Sequence, residues 1–400
     1  MYDPMVLEAA RAYAAETGKP GGEVSAEIQT YAREIVPAFN AYLYFRVGNW
    51  LARKLTLMMY RVRIGFTDEA ALAAAGSNRT VVFVMNHRSN MDYVLVGYLS
   101  ADLAALSYAV GEWARVWPLQ TLIRAMGAYF IRRNSNDSLY RRVLERYVHI
   151  ATENGVPQAV FPEGGLTVDG LLRPPKLGLL DYLIKSFDPV RSRDIMFIPV
   201  GINYDRVLED RSLLRKLDKN APRRSEFFAA RTALKFFVRA MALGFMGRWY
   251  RFGYACVNFG APVSLRSWLV ERRVDLRDLS KEDRFKQVAA LAEDLMGEIG
   301  GLIPVLPVAL VATVMLREQR PLDELELKAA VHGLIGRLES AKARVYIPRG
   351  NRDYAVTVGL RMLALRRLIV DNEGFYQLVE SETPVLRYYA NSIAHLVDRA

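Results

Sequence analysis

His87 and Asp92 are the pair in this sequence whose types and spacing suit proton transfer. They lie in Asn86-His87-Arg88-Ser89-Asn90-Met91-Asp92-Tyr93, directly after the apolar run Val81-Val82-Phe83-Val84-Met85. On a regular helix, residues five apart point about 140° away from each other. They meet only if His87 sits in a turn and Asp92 in the first turn of the helix that follows. The apolar run before and Val94-Leu95-Val96-Gly97-Tyr98-Leu99 after fit that placement. Asp92 would then fix the tautomer of the imidazole from one side. The other ring nitrogen would be free to take a proton from a hydroxyl. The carboxylate would also benefit from the positive end of the helix. A bare His-x4-Asp is more often a capping aspartate beside a satisfied loop histidine, so the pair needs company.

Three further clusters end apolar runs. Gly127-Ala128-Tyr129-Phe130-Ile131-Arg132-Arg133 brings two guanidinium groups that can clamp a phosphate, although a solvated basic turn has the same look. Phe161-Pro162-Glu163-Gly164-Gly165 offers two glycines that let backbone amides approach a ligand. Its Glu163 could accept hydrogen bonds from a polyol, and Arg173 and Lys176 downstream add positive charge. Ile198-Pro199-Val200-Gly201-Ile202-Asn203-Tyr204 carries a proline that belongs at a strand edge or bulge. Cys256, the only cysteine, lies in the apolar run Tyr254–Phe259 and reads as a core residue rather than a nucleophile. With one thiol and four scattered histidines, no metal site is expected.

These clusters need a scaffold that brings strand ends together. The runs Thr80–Met85, Ala128–Ile131, Gln158–Phe161, Ile195–Val200 and Tyr254–Phe259 are continuously apolar, as in strands covered on both faces. Helical stretches alternate with them; in one, Ser138 to Asn154, Ser138 reads as the N-cap and Gly155 as the C-terminal stop. The expected fold is α/β: a mainly parallel central sheet flanked by helices, with sites at the carboxyl ends of its strands. Residues 1–65 read as an N-terminal helical segment with a flexible lead over 1–22, residues 66–265 as the α/β domain, and residues 266–400 as a C-terminal helical region without clear strands.

The 400 residues include 54 Lys and Arg against 43 Asp and Glu, a net charge of +11. Eleven of the basic residues and two acids fall between Arg211 and Arg251, together with seven aromatic side chains. Such a patch suits an anionic partner, and an anionic membrane surface is the partner expected here. The stretch Phe45 to Arg63 also mixes Trp50 and Leu51 with Arg46, Arg53 and Lys54, a composition that can lie on a bilayer. No secretory leader and no spanning helix are expected; Gly301 to Leu316 is apolar but too short and reads as buried or interfacial. The expected location is the cytoplasmic face of the inner membrane, peripheral or monotopic.

Taken together and in this order, NHRSNMDY, GAYFIRR, FPEGG and FIPVGINYDRV resemble the membrane-associated glycerol-3-phosphate 1-O-acyltransferases, with further similarity in residues 257–265 and 307–313. The resemblance implies acyl transfer from acyl-CoA or acyl-carrier protein to the sn-1 hydroxyl of glycerol 3-phosphate, giving lysophosphatidate for phospholipid synthesis. It implies His87 as general base and Asp92 as its orienter. Arg132 is implied at the acceptor phosphate with Arg133 beside it, Glu163, Gly164 and Gly165 in glycerol phosphate binding, Lys176 as added charge, and Pro199 on the acyl-donor side. No cofactor beyond the acyl donor is implied. Where membrane-associated members usually carry an Arg-Ser-Arg-like run after Glu-Gly-Gly, this chain has Leu166-Thr167-Val168-Asp169. A 1-acylglycerol-3-phosphate acyltransferase is the near alternative. A nucleic-acid-binding protein, which gives no reason for His87 and Asp92, and an inactive membrane-surface scaffold, which only an activity assay excludes, are alternatives of another class.

Overall fold

The computed structural model describes residues 2–67, 79–100, 105–110, 119–132, 135–218 and 252–400. Its centre is an eight-stranded sheet made of β1 (Arg61–Thr67), β2 (Arg79–Met85), β3 (Ser107–Val110), β4 (Ala128–Phe130), β5 (Gln158–Val160), β6 (Asp194–Tyr204), β7 (Tyr254–Phe259) and β8 (Val263–Ser264). The strand order is β1-β7-β6-β2-β5-β3-β4, with β8 beside β6. From β6 through β2, β5 and β3 to β4 every pairing is parallel, whereas β7 and β8 run antiparallel to β6.

The continuous apolar runs have the consequence expected of them. Along β2, Val82 and Val84 enter one core while Phe83 and Met85 enter the other. Alternate side chains point to opposite faces, and both faces are apolar because both are covered. One face packs against helices Pro4–Thr17, Gly21–Ile35, Ser138–Glu153, Gly178–Ile184 and Lys281–Leu302. The other packs against Met91–Ser100 and the C-terminal helices, centred on Pro307–Glu318, which is buried from Pro307 to Met315. The C-terminal region thus shares a core with the sheet.

Several local expectations are corrected. Residues 4–17 form a helix rather than a flexible lead, because Asp3 caps it by accepting from the Met5 amide and Gly18 closes it at φ 69°. Asp137, not Ser138, caps the helix Ser138–Glu153, accepting from the Tyr140 amide. The first sheet strand begins at Arg61, inside the segment read as helical. Three short strands stand among the C-terminal helices: β9 (Leu322–Asp323), β10 (Ile369–Asn372) and β11 (Phe375–Leu378), a small antiparallel sheet. Pro199 lies inside β6 where its outer partner changes. Met196 and Phe197 pair with β8, and pairing with β7 starts at Val200. Gly260 N–H donates to the Pro199 carbonyl there, so the missing proline N–H interrupts a ladder already broken.

Candidate active site

β5, β2 and β6 are adjacent and parallel, so Phe161–Glu163, Asn86–Asp92 and Tyr204 emerge together at one edge of the sheet. Asn86 ties two of these strand ends together: its amide donates to the Ile202 carbonyl at 2.9 Å and its carbonyl accepts from the Ile202 N–H at 2.8 Å. The chain then turns and enters the helix Met91–Ser100, with Asp92 in its first turn. His87 stays in the turn. Its Nδ1 lies 2.9 Å from Asp92 Oδ2, with both side chains buried. This is the arrangement that the spacing required.

Asp92 is saturated with donors. Besides His87, Oδ2 accepts the N–H groups of Arg88 (2.7 Å) and Ser89 (3.0 Å), and Oδ1 accepts the Tyr204 hydroxyl (2.7 Å). A carboxylate can only accept, so Nδ1 of His87 carries the proton and Nε2 holds a free lone pair. Nε2 has no hydrogen-bond partner among the described residues. Phe161 lies against the imidazole at a centroid distance of 4.1 Å and Tyr93 meets it edge-on at 5.3 Å. The arrangement can remove a proton from a hydroxyl brought to Nε2.

Glu163 does not point its carboxylate outward to a polyol. Oε1 accepts the His87 backbone N–H at 2.7 Å and Oε2 the Arg173 N–H at 3.0 Å. Thr167 N–H closes the other side by donating to the His87 carbonyl. The Glu163–Thr167 loop therefore braces the backbone of His87. Burial, opposed by the two amides and by the charge of Arg88, pushes the Glu163 carboxyl up to about 7. Its folded-state pKa exceeds the unfolded one, so its ionisation costs stability as pH rises from about 4.5 to about 7. Glu163→Gln should gain in Tm relative to the wild type across that window and run parallel above it. Thermal denaturation of both proteins against pH checks this; a constant difference would mean that Glu163 titrates as in the unfolded chain.

Gly164 sits at φ +66°, with the Lys176 side chain packed where a Cβ would be, 2.6 Å from Lys176 Cδ. Lys176 is exposed, and its Nζ has no partner among the described residues. Gly165 is buried. Leu166 and Val168 pack on the core, and Thr167 and Asp169 spend their side chains on the turn they form.

Arg132 is not brought to this cluster. β4 is the third strand along from β2, about 14 Å away at the usual strand spacing. Its guanidinium is held by both oxygens of Glu34, at 3.0 and 2.8 Å, and lies 5.0 Å from the rings of Tyr31 and Tyr140. As a free phosphate clamp it is thus corrected: its charge is already paired. Arg133 and the basic, aromatic stretch 219–251 lie outside the described residues. Pro199 pairs with Val84, three residues before His87 on the strand axis, and so lies below the site. Cys256 is fully buried, its thiol pushed up to about 12 by that burial, as suits a core residue.

Sequence reasoning gave no role to three further groups. Tyr204 is the fourth donor to Asp92. Glu209 accepts from the Ser89 hydroxyl at 2.8 Å and the Asn90 N–H at 3.2 Å. Tyr388, in the helix Thr383–Asn391, lies under the Arg88 guanidinium at 5.1 Å. Arg88 also donates to the Gly170 carbonyl. Each partner is over eighty residues from the loop it holds, beyond any local pattern.

Two family models match the chain: the acyltransferase model over residues 63–203 and the glycerol-3-phosphate acyltransferase C-terminal region over residues 244–399. A glycerol-3-phosphate acyltransferase of Pseudoalteromonas atlantica is 26% identical over 389 residues, covering 94% of this chain and 46% of that protein. One from Aeromonas hydrophila is 28% identical over 382 residues, covering 92% and 45%. The solved 1-acyl-sn-glycerophosphate acyltransferase of Thermotoga maritima is similar over 64% of this chain and 79% of that one, with 17% identity and a TM-score of 0.36. The chain spans about half the length of the curated relatives named here. Over both matched regions the chain is similar to glycerol-3-phosphate acyltransferases.

Proposed function

We propose that this chain transfers a fatty acyl group from an acyl thioester to the sn-1 hydroxyl of glycerol 3-phosphate. The observation that carries the reading is the His87 imidazole fixed by Asp92 through Nδ1, with Nε2 unpartnered. Nε2 takes the hydroxyl proton as the oxygen attacks the thioester carbonyl. The tetrahedral intermediate collapses, the C–S bond breaks, and the imidazolium returns its proton to the leaving thiolate. Asp92 stabilises the imidazolium between the two steps. The thioester is already activated, so no acyl-enzyme is required. Lys176, exposed and packed beside Gly164, is the cation this reading assigns to the acceptor phosphate.

The test is incubation of the purified chain with labelled glycerol 3-phosphate and either acyl-CoA or acyl-carrier-protein donor, followed by identification of the lipid product. A parallel arm supplies 1-acylglycerol 3-phosphate. Acylation of that acceptor alone would replace the present reading with the second acylation step; Leu166 and Val168, packed on the core where membrane-associated relatives usually carry cations, are the feature that favours including this arm.

The same reading places the chain on an anionic membrane surface. Phe39, Tyr42, Phe45 and Trp50 are exposed along residues 39–50. Arg46, Arg53 and Lys54 are exposed among them, with Lys54 Nζ 4.7 Å above the Trp50 ring. Basic residues near an anionic leaflet contribute about 1 kcal/mol each, and the rings add apolar burial. Flotation with anionic vesicles should fall when Tyr42, Phe45 and Trp50 are changed to serine; partitioning identical to the wild type, with or without anionic lipid, removes this surface from consideration. No helix among the described residues is long and apolar enough to cross a membrane.

A further inference from the structure

Tyr204 ends β6, 112 residues from Asp92 in sequence, and its hydroxyl reaches Asp92 Oδ1 at 2.7 Å. The two atoms of one carboxylate are therefore divided between two partners: Oδ2 faces the catalytic imidazole and Oδ1 faces a phenol. Tyr204 is fully buried, and burial first, then the negative charge of Asp92, push its phenol well above the ordinary value. It stays protonated and can act toward Asp92 only as a donor. We propose that Tyr204 is a positioning residue of the catalytic centre, acting through Asp92 to set how strongly the carboxylate holds the protonated His87. The inference rests on the reading of His87 as general base.

The reasoning is electrostatic. A donor on Oδ1 draws carboxylate charge away from Oδ2 and so weakens the attraction between Oδ2 and the imidazolium. Without that hydroxyl, Oδ1 has no other donor among the described residues, the charge shifts toward Oδ2, and His87 becomes more basic. Other ionisable groups surround the unit. Arg88 and Glu163 flank the backbone of His87, Glu209 holds Ser89, and Tyr93 touches the imidazole. Tyr60 lies 5.2 Å from the Tyr204 ring. Arg206 follows on the same chain, its carbonyl accepting from Tyr60, and Tyr388 packs under Arg88. None of these touches Oδ1. Glu163 titrates near 7 on the neighbouring loop, so a pH–rate profile alone would mix two protons, and the reporter must be His87 itself.

The experiment follows the imidazole of His87 by NMR in the full chain labelled at histidine, with its resonance assigned by its loss in His87→Ala. Tyr204→Phe should raise the His87 titration midpoint by about half a unit or more. The acid limb of kcat should move alkaline with it, with KM for the acceptor unchanged. Placing 3-fluorotyrosine at position 204 makes a stronger donor of nearly the same shape and should lower the midpoint; it also serves if Tyr204→Phe fails to fold. Tyr60→Phe removes a neighbouring hydroxyl that donates to the Arg206 carbonyl at 2.8 Å and should leave the midpoint in place. A midpoint that stays put in both Tyr204 variants, or that moves as far in Tyr60→Phe, overturns the proposal. If the midpoint moves as expected while the wild type acylates neither glycerol 3-phosphate nor its 1-acyl derivative, Tyr204 keeps this role and the substrate reading fails.

Discussion

Replacing His87 by alanine should lower turnover by about 10²–10⁴-fold, the usual contribution of a positioned general base, in a protein that still folds. The loss is confined because the surrounding frame does not depend on the imidazole. Asp92 keeps the Arg88 and Ser89 amides and the Tyr204 hydroxyl, and the backbone N–H of residue 87 keeps Glu163. What disappears is the imidazole and its contact with Phe161 and Tyr93. Turnover measured beside circular dichroism separates the two effects. Acyl transfer near the wild-type rate would remove His87 from the mechanism.

Asp92→Asn should have the second-largest effect, and its size is informative. In serine proteases the equivalent change costs about 10⁴-fold because the new amide imposes the wrong imidazole tautomer. Here three donors converge on Oδ2, those of His87, Arg88 and Ser89. An asparagine oxygen is forced to face them, leaving its amide nitrogen toward the Tyr204 oxygen, which can accept. The tautomer is retained and only the negative charge is lost, so the expected drop is smaller, about 10- to 10³-fold in kcat. The acid limb of the pH–rate profile should also move to lower pH. A fall of 10⁴-fold would mean that the amide has turned over, and an unchanged kcat would mean that the pair takes no part in catalysis.

The part of the site that could be read in advance is the part built from short-range chemistry. His87 and Asp92 lie five residues apart, on either side of the entry to one helix, and the run before them is continuously apolar, so both the sheet and the strand-turn-helix followed from local pattern. β1 was hidden because Arg61-Val62-Arg63-Ile64 is an edge strand with little burial, and β3 because Ser107 and Tyr108 leave it without a run of apolar residues. The hairpin of β10 and β11 is similarly short and mostly exposed, with its turn carried by Glu373 and Gly374 at φ 53° and 88°. The roles of Arg132 and Glu163 turned on partners far away in sequence. Nothing near Arg132 announces Glu34, 98 residues earlier, and nothing in Phe-Pro-Glu-Gly-Gly announces that its carboxylate is spent on the backbone of residue 87. Residue type told which groups carry charge; only the packing told where each charge is already committed.

Gly170 at φ +90° lets the chain pass so close to the helix Thr383–Asn391 that a Cβ there would run into the Tyr388 carbonyl. Asn391 adds a hydrogen bond to the Asp169 carbonyl, and Tyr388 reaches back to the carbonyl of Arg88, 300 residues earlier. The loop around His87 is thus fastened from two sources: Asn86, Glu163 and Tyr204 hold it from within the sheet region, and Tyr388 and Asn391 tie the backbones of Arg88 and Asp169 to the far end of the sequence.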